Sequence, residues 1–237
     1  MGEMVADIAQ IPALLSGQRK VLILGGVREA ADLAAILVGQ GHHVISSLAG
    51  RTKEPMPVMG QVRVGGFGGA LGLADYIRAN GINTLIDATH PFANTISANA
   101  VKAAEIAKVQ LIIYARAAWQ KQAGDFWIEV ETLNAARDKI PADARVLLAL
   151  GSQYIALFAG RTDLHFVVRM VDAPDNPIAL ASHTLVLGKP GSIVAETQLL
   201  VEHRISHIVC RNSGGVGAYA KIVAARNLSL PVIIINR

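Results

Sequence analysis

The chain is poor in cysteine, aromatics and charge, and each shortage closes off a class of protein. Cys210 is its sole cysteine, so neither an internal disulfide nor a cysteine metal cluster can form. No apolar run reaches the length of a bilayer span. The stretch from Met1 to Gln18 carries Glu3 and Asp7 and lacks the basic start and apolar core of a secretory signal. A soluble, cytoplasmic protein with no membrane partner is therefore expected, with residues 1–19 a short amphipathic extension, packed or loose. Aromatics are only 5% of the residues and charged side chains 17%, and the lysines and arginines form no basic run. A nucleic-acid binder would cluster its cations or interleave them with exposed aromatics, so nucleic acid is not expected as a partner. The net charge of +4 suits an acidic small molecule but selects nothing by itself.

What the chain does have is small and aliphatic. Hydrophobic residues make up 52% of its 237, enough for one large core or two modest ones. Short β-branched runs are expected as strands at 21–24, 43–46, 61–64, 84–86, 110–114, 126–130, 145–150, 165–168, 184–187, 207–210 and 232–235. Helical patterns fall between them at 29–39, 71–79, 93–108, 153–158, 194–203 and 216–225. Such alternation, with short connections, gives parallel sheets joined by right-handed crossovers. The alternation breaks between Arg116 and Asp125, and each half has its own glycine-rich strand-to-helix turns. The expected architecture is α/β, with two Rossmann-like domains over 20–118 and 119–237. Their sheets should be mainly parallel, with an interdomain cleft at the strand carboxyl ends. No internal sequence repeat is visible.

The first turn of interest is VLILGGVREA. Gly25 and Gly26 end a buried strand, and Arg28 and Glu29 open the next helix. Backbone N–H groups at such a helix start approach a pyrophosphate closely, where the helix dipole favours negative charge. The pair is not a full GxGxxG fingerprint, and two glycines also serve a plain tight turn. About 20 residues on, where NAD enzymes keep a ribose-binding acid, the chain has none. It reads ISSLAGRTK instead, so Ser46, Ser47, Arg51 and Thr52 are placed to meet a 2′-phosphate, for which a guanidinium fork is suited. NADPH is the cofactor these two motifs favour together, although a loop arginine alone is common. Gly66 and Gly68, in GGFGG, suggest close backbone approach to a ligand, or simply a flexible loop.

LIDATHPFANTIS places Asp87, Thr89 and His90 after a strand, with Pro91 expected to start a helix. His90 is a candidate for proton transfer and Thr89 for cofactor contact, the alternative being a capping loop. In the second half, Arg211, Asn212, Ser213 and Gly214 form a further anion-friendly turn, with Tyr219 and Lys221 beyond it. Ser152 and Lys189 lie at the same expected edge. His42, His43, His165, His183, His203 and His207 have no metal-ligand spacing, so no metal site is expected.

Taken in order, GGVREA, SSLAGRT, GGFGGALGLADYI, DATHPFA, Arg116 to Trp119, and RNSGG with Lys221 resemble the precorrin-6A reductase family of cobalamin biosynthesis. The resemblance runs from about Lys20 to Arg237. It implies hydride transfer from NADPH that saturates one macrocycle double bond, giving precorrin-6B. Members of the cobalt-early route act on the cobalt-containing analogue, some with NADH; Ser46, Ser47 and Arg51 favour the NADPH branch. An anionic tetrapyrrole needs dispersed donors, which Arg116, Ser152, Lys189, Arg211, Asn212, Ser213, Gly214 and Lys221 could supply. The proton donor stays open among His90, Tyr219 and water. Other enzymes of the pathway are possible partners. A tetrapyrrole lyase and an NADPH-sensing regulator are the readings from other classes.

Overall fold

The computed structural model describes residues 3–50 and 56–237. The chain divides into two compact units, residues 1–116 and 117–237. The first contains β1 (Glu3–Ala6), β2 (Lys20–Leu24), α1 (Arg28–Gly39), β3 (His43–Leu48) and β4 (Gln61–Val64). It continues through α2 (Gly69–Ala79), β5 (Thr84–Asp87), α3 (Asn94–Ala107) and β6 (Gln110–Tyr114). Its sheet runs β1-β6-β5-β2-β3-β4, with every pairing parallel.

β2 sits mid-sheet because its side chains can be apolar on both faces. Val21 and Ile23 join the core under α1, while Leu22 and Leu24 join the one under α2 and α3. α1 buries Ala30, Leu33, Ala34 and Leu37, the stripe that a 3.6-residue period places on one face. Residues 3–19 belong to this unit instead of hanging from it. β1 pairs with β6 from Glu3↔Leu111 to Ala6↔Tyr114, and Ile11 and Leu15 pack into the α1-side core.

The second unit contains β7 (Trp127–Val130), α4 (Leu133–Asp138), β8 (Arg145–Ala149), a 3-10 segment (Ser152–Phe158) and β9 (His165–Met170). β10 (His183–Leu187), α5 (Ile193–Glu202), β11 (His207–Arg211), α6 (Ala220–Asn227) and β12 (Val232–Ile235) follow. The order is β10-β9-β8-β11-β12-β7, again all parallel. Written from the other edge, this is the path of the first sheet moved on by six strands. The two units therefore share one topology that no sequence repeat announced.

Several expected boundaries shift. α6 starts at Ala220, not Val216, because the residues before it form a turn. The helix expected at 153–158 is 3-10, and α4 was not anticipated. Among the described residues, no helix is long and apolar enough to cross a membrane.

Candidate active site

In the first sheet, the run β4-β3-β2-β5-β6 is the 3-2-1-4-5 order of a nucleotide-binding half, so the connections leave β2 and β5 in opposite directions. Ligands of such sheets sit at the carboxyl ends of those two strands. After β2, the Gly25 N–H donates to the Ser47 carbonyl at 3.1 Å, tying the turn to β3. A Cβ on Gly25 would stand 3.1 Å from that of Ala30, so glycine lets α1 close on the strand. Gly26 has φ +118°, with open space where a Cβ would be. No side chain caps α1, whose N-cap is Val27. These features fit an approaching diphosphate: a bare turn, a glycine-only backbone and an uncapped helix start.

The neighbouring side chains are more committed than expected. Glu29 forms an ion pair with Arg116, whose side chain is only 9% exposed. Arg116 therefore lies against the start of α1, on Glu29. Arg28 is exposed and 4.0 Å from Asp32.

After β5, Asp87 Oδ1 accepts from the Thr89 N–H at 3.1 Å and from its hydroxyl at 2.7 Å. His90 Nδ1 accepts the Phe92 N–H at 3.3 Å, which leaves the ring proton of a neutral imidazole on Nε2. The helix begins at Asn94, three residues later than the proline suggested, with residues 91–93 in a turn.

At the far side, β3 continues through Leu48, so Ser46 and Ser47 lie within the strand and not in the loop after it. Both are buried, and the Ser46 hydroxyl has no hydrogen-bond partner among the described residues. Ser47 accepts from Arg63 of β4. Arg51 and Thr52 fall outside the described residues. Arg63 was missed, although an arginine just before GGFGG was its signal. Gly66 is unobstructed, and Gly68, with φ +77°, is the N-cap of α2.

The carboxyl edge of the second sheet has a different chemistry. Asn212 is buried, its side chain accepting the Trp119 N–H at 2.7 Å and donating to the Trp119 carbonyl at 3.1 Å. A Cβ on Gly214 would overlap the Ala117 carbonyl oxygen, so this glycine permits close packing of two backbones. Ser213 is buried, and its carbonyl accepts from Arg237. RNSGG thus braces the entry segment of the unit, where an open anion turn was expected.

Lys221 was expected among the donors to the substrate's carboxylates. It is 4% exposed, donates to the Ala218 carbonyl at 2.8 Å and lies 5.0 Å from the Trp119 ring centre. Burial lowers its pKa, the nearby Cys210 and Glu196 opposing and Arg169 adding to that shift. The Tyr219 hydroxyl accepts from Arg226, which also pairs with Asp125. Arg211 lies over the Tyr154 ring at 4.0 Å, and Ser152 and Lys189 are exposed. The loop carrying Lys189 is held by Glu196, which accepts from Gly191 and pairs with Arg169 at 2.6 Å, a buried pair that sequence reasoning did not find. His43, His165, His183 and His207 each open a strand, at the end opposite these turns.

Residues 20–237 match the family described as Precorrin-6x reductase CbiJ/CobK. The chain belongs to that family. Precorrin-6A reductase of Rhodobacter capsulatus is 44% identical over 220 residues, covering 92% of this chain and 88% of the relative. The Mycobacterium tuberculosis protein of the same name is 40% identical, again over 92% and 88%. Cobalt-precorrin-6A reductase of Priestia megaterium is 26% identical over 92% and 90%. A solved structure of CobK precorrin-6A reductase superposes with a TM-score of 0.90 at 44% identity, covering 93% of this chain and 88% of that one. Membership of the precorrin-6x reductase family makes the chain an oxidoreductase and sets aside the lyase and regulator readings.

Proposed function

We propose that the chain reduces precorrin-6A to precorrin-6B, saturating one double bond of the macrocycle in cobalamin biosynthesis, with NADPH as the reductant. The observation that carries this reading is the Gly25–Gly26 turn, placed at the strand-order reversal of a nucleotide-type sheet in a precorrin-6x reductase. The metal-free substrate is favoured by the relatives named for it, at 40% and 44% identity against 26% for the cobalt enzyme.

A bound dihydronicotinamide supplies the hydride, and a proton completes the saturation. The turn at Gly26 and the start of α1 hold the diphosphate through backbone N–H groups. Gly66, Gly68 and Thr89 border the same edge, and Arg51 and Thr52 follow β3. The Glu29–Arg116 pair fixes the first turn of α1, so Glu29 acts here as a positioning residue. His90 offers Nε2–H as the proton source, its tautomer set by the Phe92 N–H. For the substrate carboxylates, the exposed Lys189 and Ser152 supply donors without first breaking a buried contact of the Lys221 kind, and Arg211, half-buried over Tyr154, adds a cation to the same edge. Tyr219 and the RNSGG turn act behind them, by holding the edge in shape.

The test is nucleotide oxidation by the purified protein, with precorrin-6A, its cobalt analogue and no substrate as parallel arms, each with NADPH and with NADH. Oxidation of NADPH that depends on precorrin-6A is expected. Failure of every arm overturns the activity, and a clear preference for NADH overturns the cofactor while leaving the reductase reading in place.

A further inference from the structure

We infer that Arg63, at the end of β4, is the residue that selects the phosphorylated ribose of NADPH; the inference rests on the nucleotide site proposed above. In the strand register, Arg63 stands beside Ser47 near the carboxyl end of β3. β3 is the second strand of the 3-2-1-4-5 order, and its carboxyl end is where dinucleotide folds read the ribose 2′ position. NAD-selective sites place a carboxylate there to accept from the 2′-hydroxyl. Arg63 instead brings a cation, and it is ion-paired with no acidic side chain among the described residues.

The guanidinium is already oriented. Nη1 donates to Ser47 Oγ at 3.1 Å and to the Gly65 carbonyl at 2.6 Å, while Nη2 donates to the Gly66 carbonyl at 2.7 Å. One face covers Phe67, with the carbon of the guanidinium 3.7 Å from the ring centre. Phe67 is seated in turn by Gly72, since any Cβ there would overlap the Phe67 carbonyl oxygen. An arginine has five N–H donors, so these three bonds leave the Nε–H and one Nη2–H uncommitted among the described residues. Two N–H groups on one rigid plane make the fork that binds phosphate oxygens bidentately. Because the side chain is held before the ligand arrives, little conformational freedom is lost on binding.

The same bonds to Gly65 and Gly66 would also let Arg63 serve as a plain loop brace, and the experiment separates the two roles. Calorimetric titration with 2′,5′-ADP and with 5′-AMP compares ligands that differ only in the 2′-phosphate. The wild-type chain should favour 2′,5′-ADP. Arg63→Gln should reduce that preference by about 10- to 100-fold, the loss of a charge-assisted hydrogen bond, with 5′-AMP affinity within about twofold of wild type. Arg63→Lys, which keeps the charge but not the fork, should recover part of the preference. Equal losses for both ligands in Arg63→Gln would make the residue a brace and overturn the inference. So would an unchanged preference in Arg63→Gln alongside its loss in Arg51→Ala, which leaves the nucleotide site standing. If neither ligand binds the wild-type chain, the nucleotide site itself falls, and this inference with it.

Discussion

Lys221 shows how far a single residue can depart from what its type suggests. In the sequence it follows a glycine-rich turn and could be a solvated cation. In the fold it occupies the first turn of α6 beside Ile222, Ala224 and Ala225, all buried, and its ammonium is enclosed with them. One carbonyl bond and the Trp119 ring partly offset the lost hydration. The burial-lowered pKa means that the folded chain gives up this proton more readily than the unfolded one. The resulting penalty is fully present below the lowered value. It fades as pH rises from there toward the ordinary lysine range, so stability from this group increases with pH. Lys221→Met, which keeps the length and removes the charge, should therefore be more stable than wild type near neutrality. The gap should narrow at alkaline pH. Urea unfolding of both proteins at about pH 7 and about pH 10 reads this directly. A variant less stable than wild type at both values would mean that the buried charge is stabilising.

At the scale of elements, what was legible depended on whether a segment carries its own period. VLIL alternates between two buried faces, and α1 repeats its apolar positions at helical spacing, so both were readable without the fold. β1 was not. Only Ala6 of its four residues is buried, and its pairing with β6 is satisfied by backbone alone. The site followed the same division. The turns at Gly25, Thr89 and Lys189 lie at strand ends because glycine and proline punctuate sequence locally. The strand expected to end at Ser46 runs on through Ser47 to Leu48, because a hydroxyl residue can continue a strand as readily as end it. The role of Asn212 depends on Trp119, 93 positions away, and no local pattern contains that. The N-terminal segment gives the sharpest test at this scale. Ile11 is fully buried in the core beneath α1, so Ile11→Ala should cost about 2–5 kcal/mol, the usual range for an emptied core site. A loss below about 0.5 kcal/mol in chemical denaturation would show that residues 3–19 contribute nothing to the packing of this unit.

At the scale of the whole chain, two units with one strand path end in unlike turns, and that difference is the reason for proposing the nucleotide at the first of them. Topology alone would offer a site at the carboxyl edge of each sheet. In the first unit, the turn after β2 leads into a full α-helix whose start is free of a side-chain cap, and Arg63 stands beside Ser47 near the carboxyl end of β3, where the ribose is proposed to lie. In the second, the turn after β8 leads into a 3-10 segment, which aligns fewer N–H groups on one point. The turn after β11 has its asparagine amide bonded to Trp119 and its glycine pressed against Ala117, so neither can open to an anion without breaking buried contacts. Shared topology with unshared turn chemistry predicts binding to one edge only. Hydrogen exchange with saturating 2′,5′-ADP should slow amides at 25–29 and 65–69. The corresponding turns at 151–153, 188–192 and 212–215 should exchange as in the free protein. Protection confined to the second set would assign the nucleotide to residues 117–237 and leave Gly25 and Gly26 as the ordinary tight turn that two glycines also make.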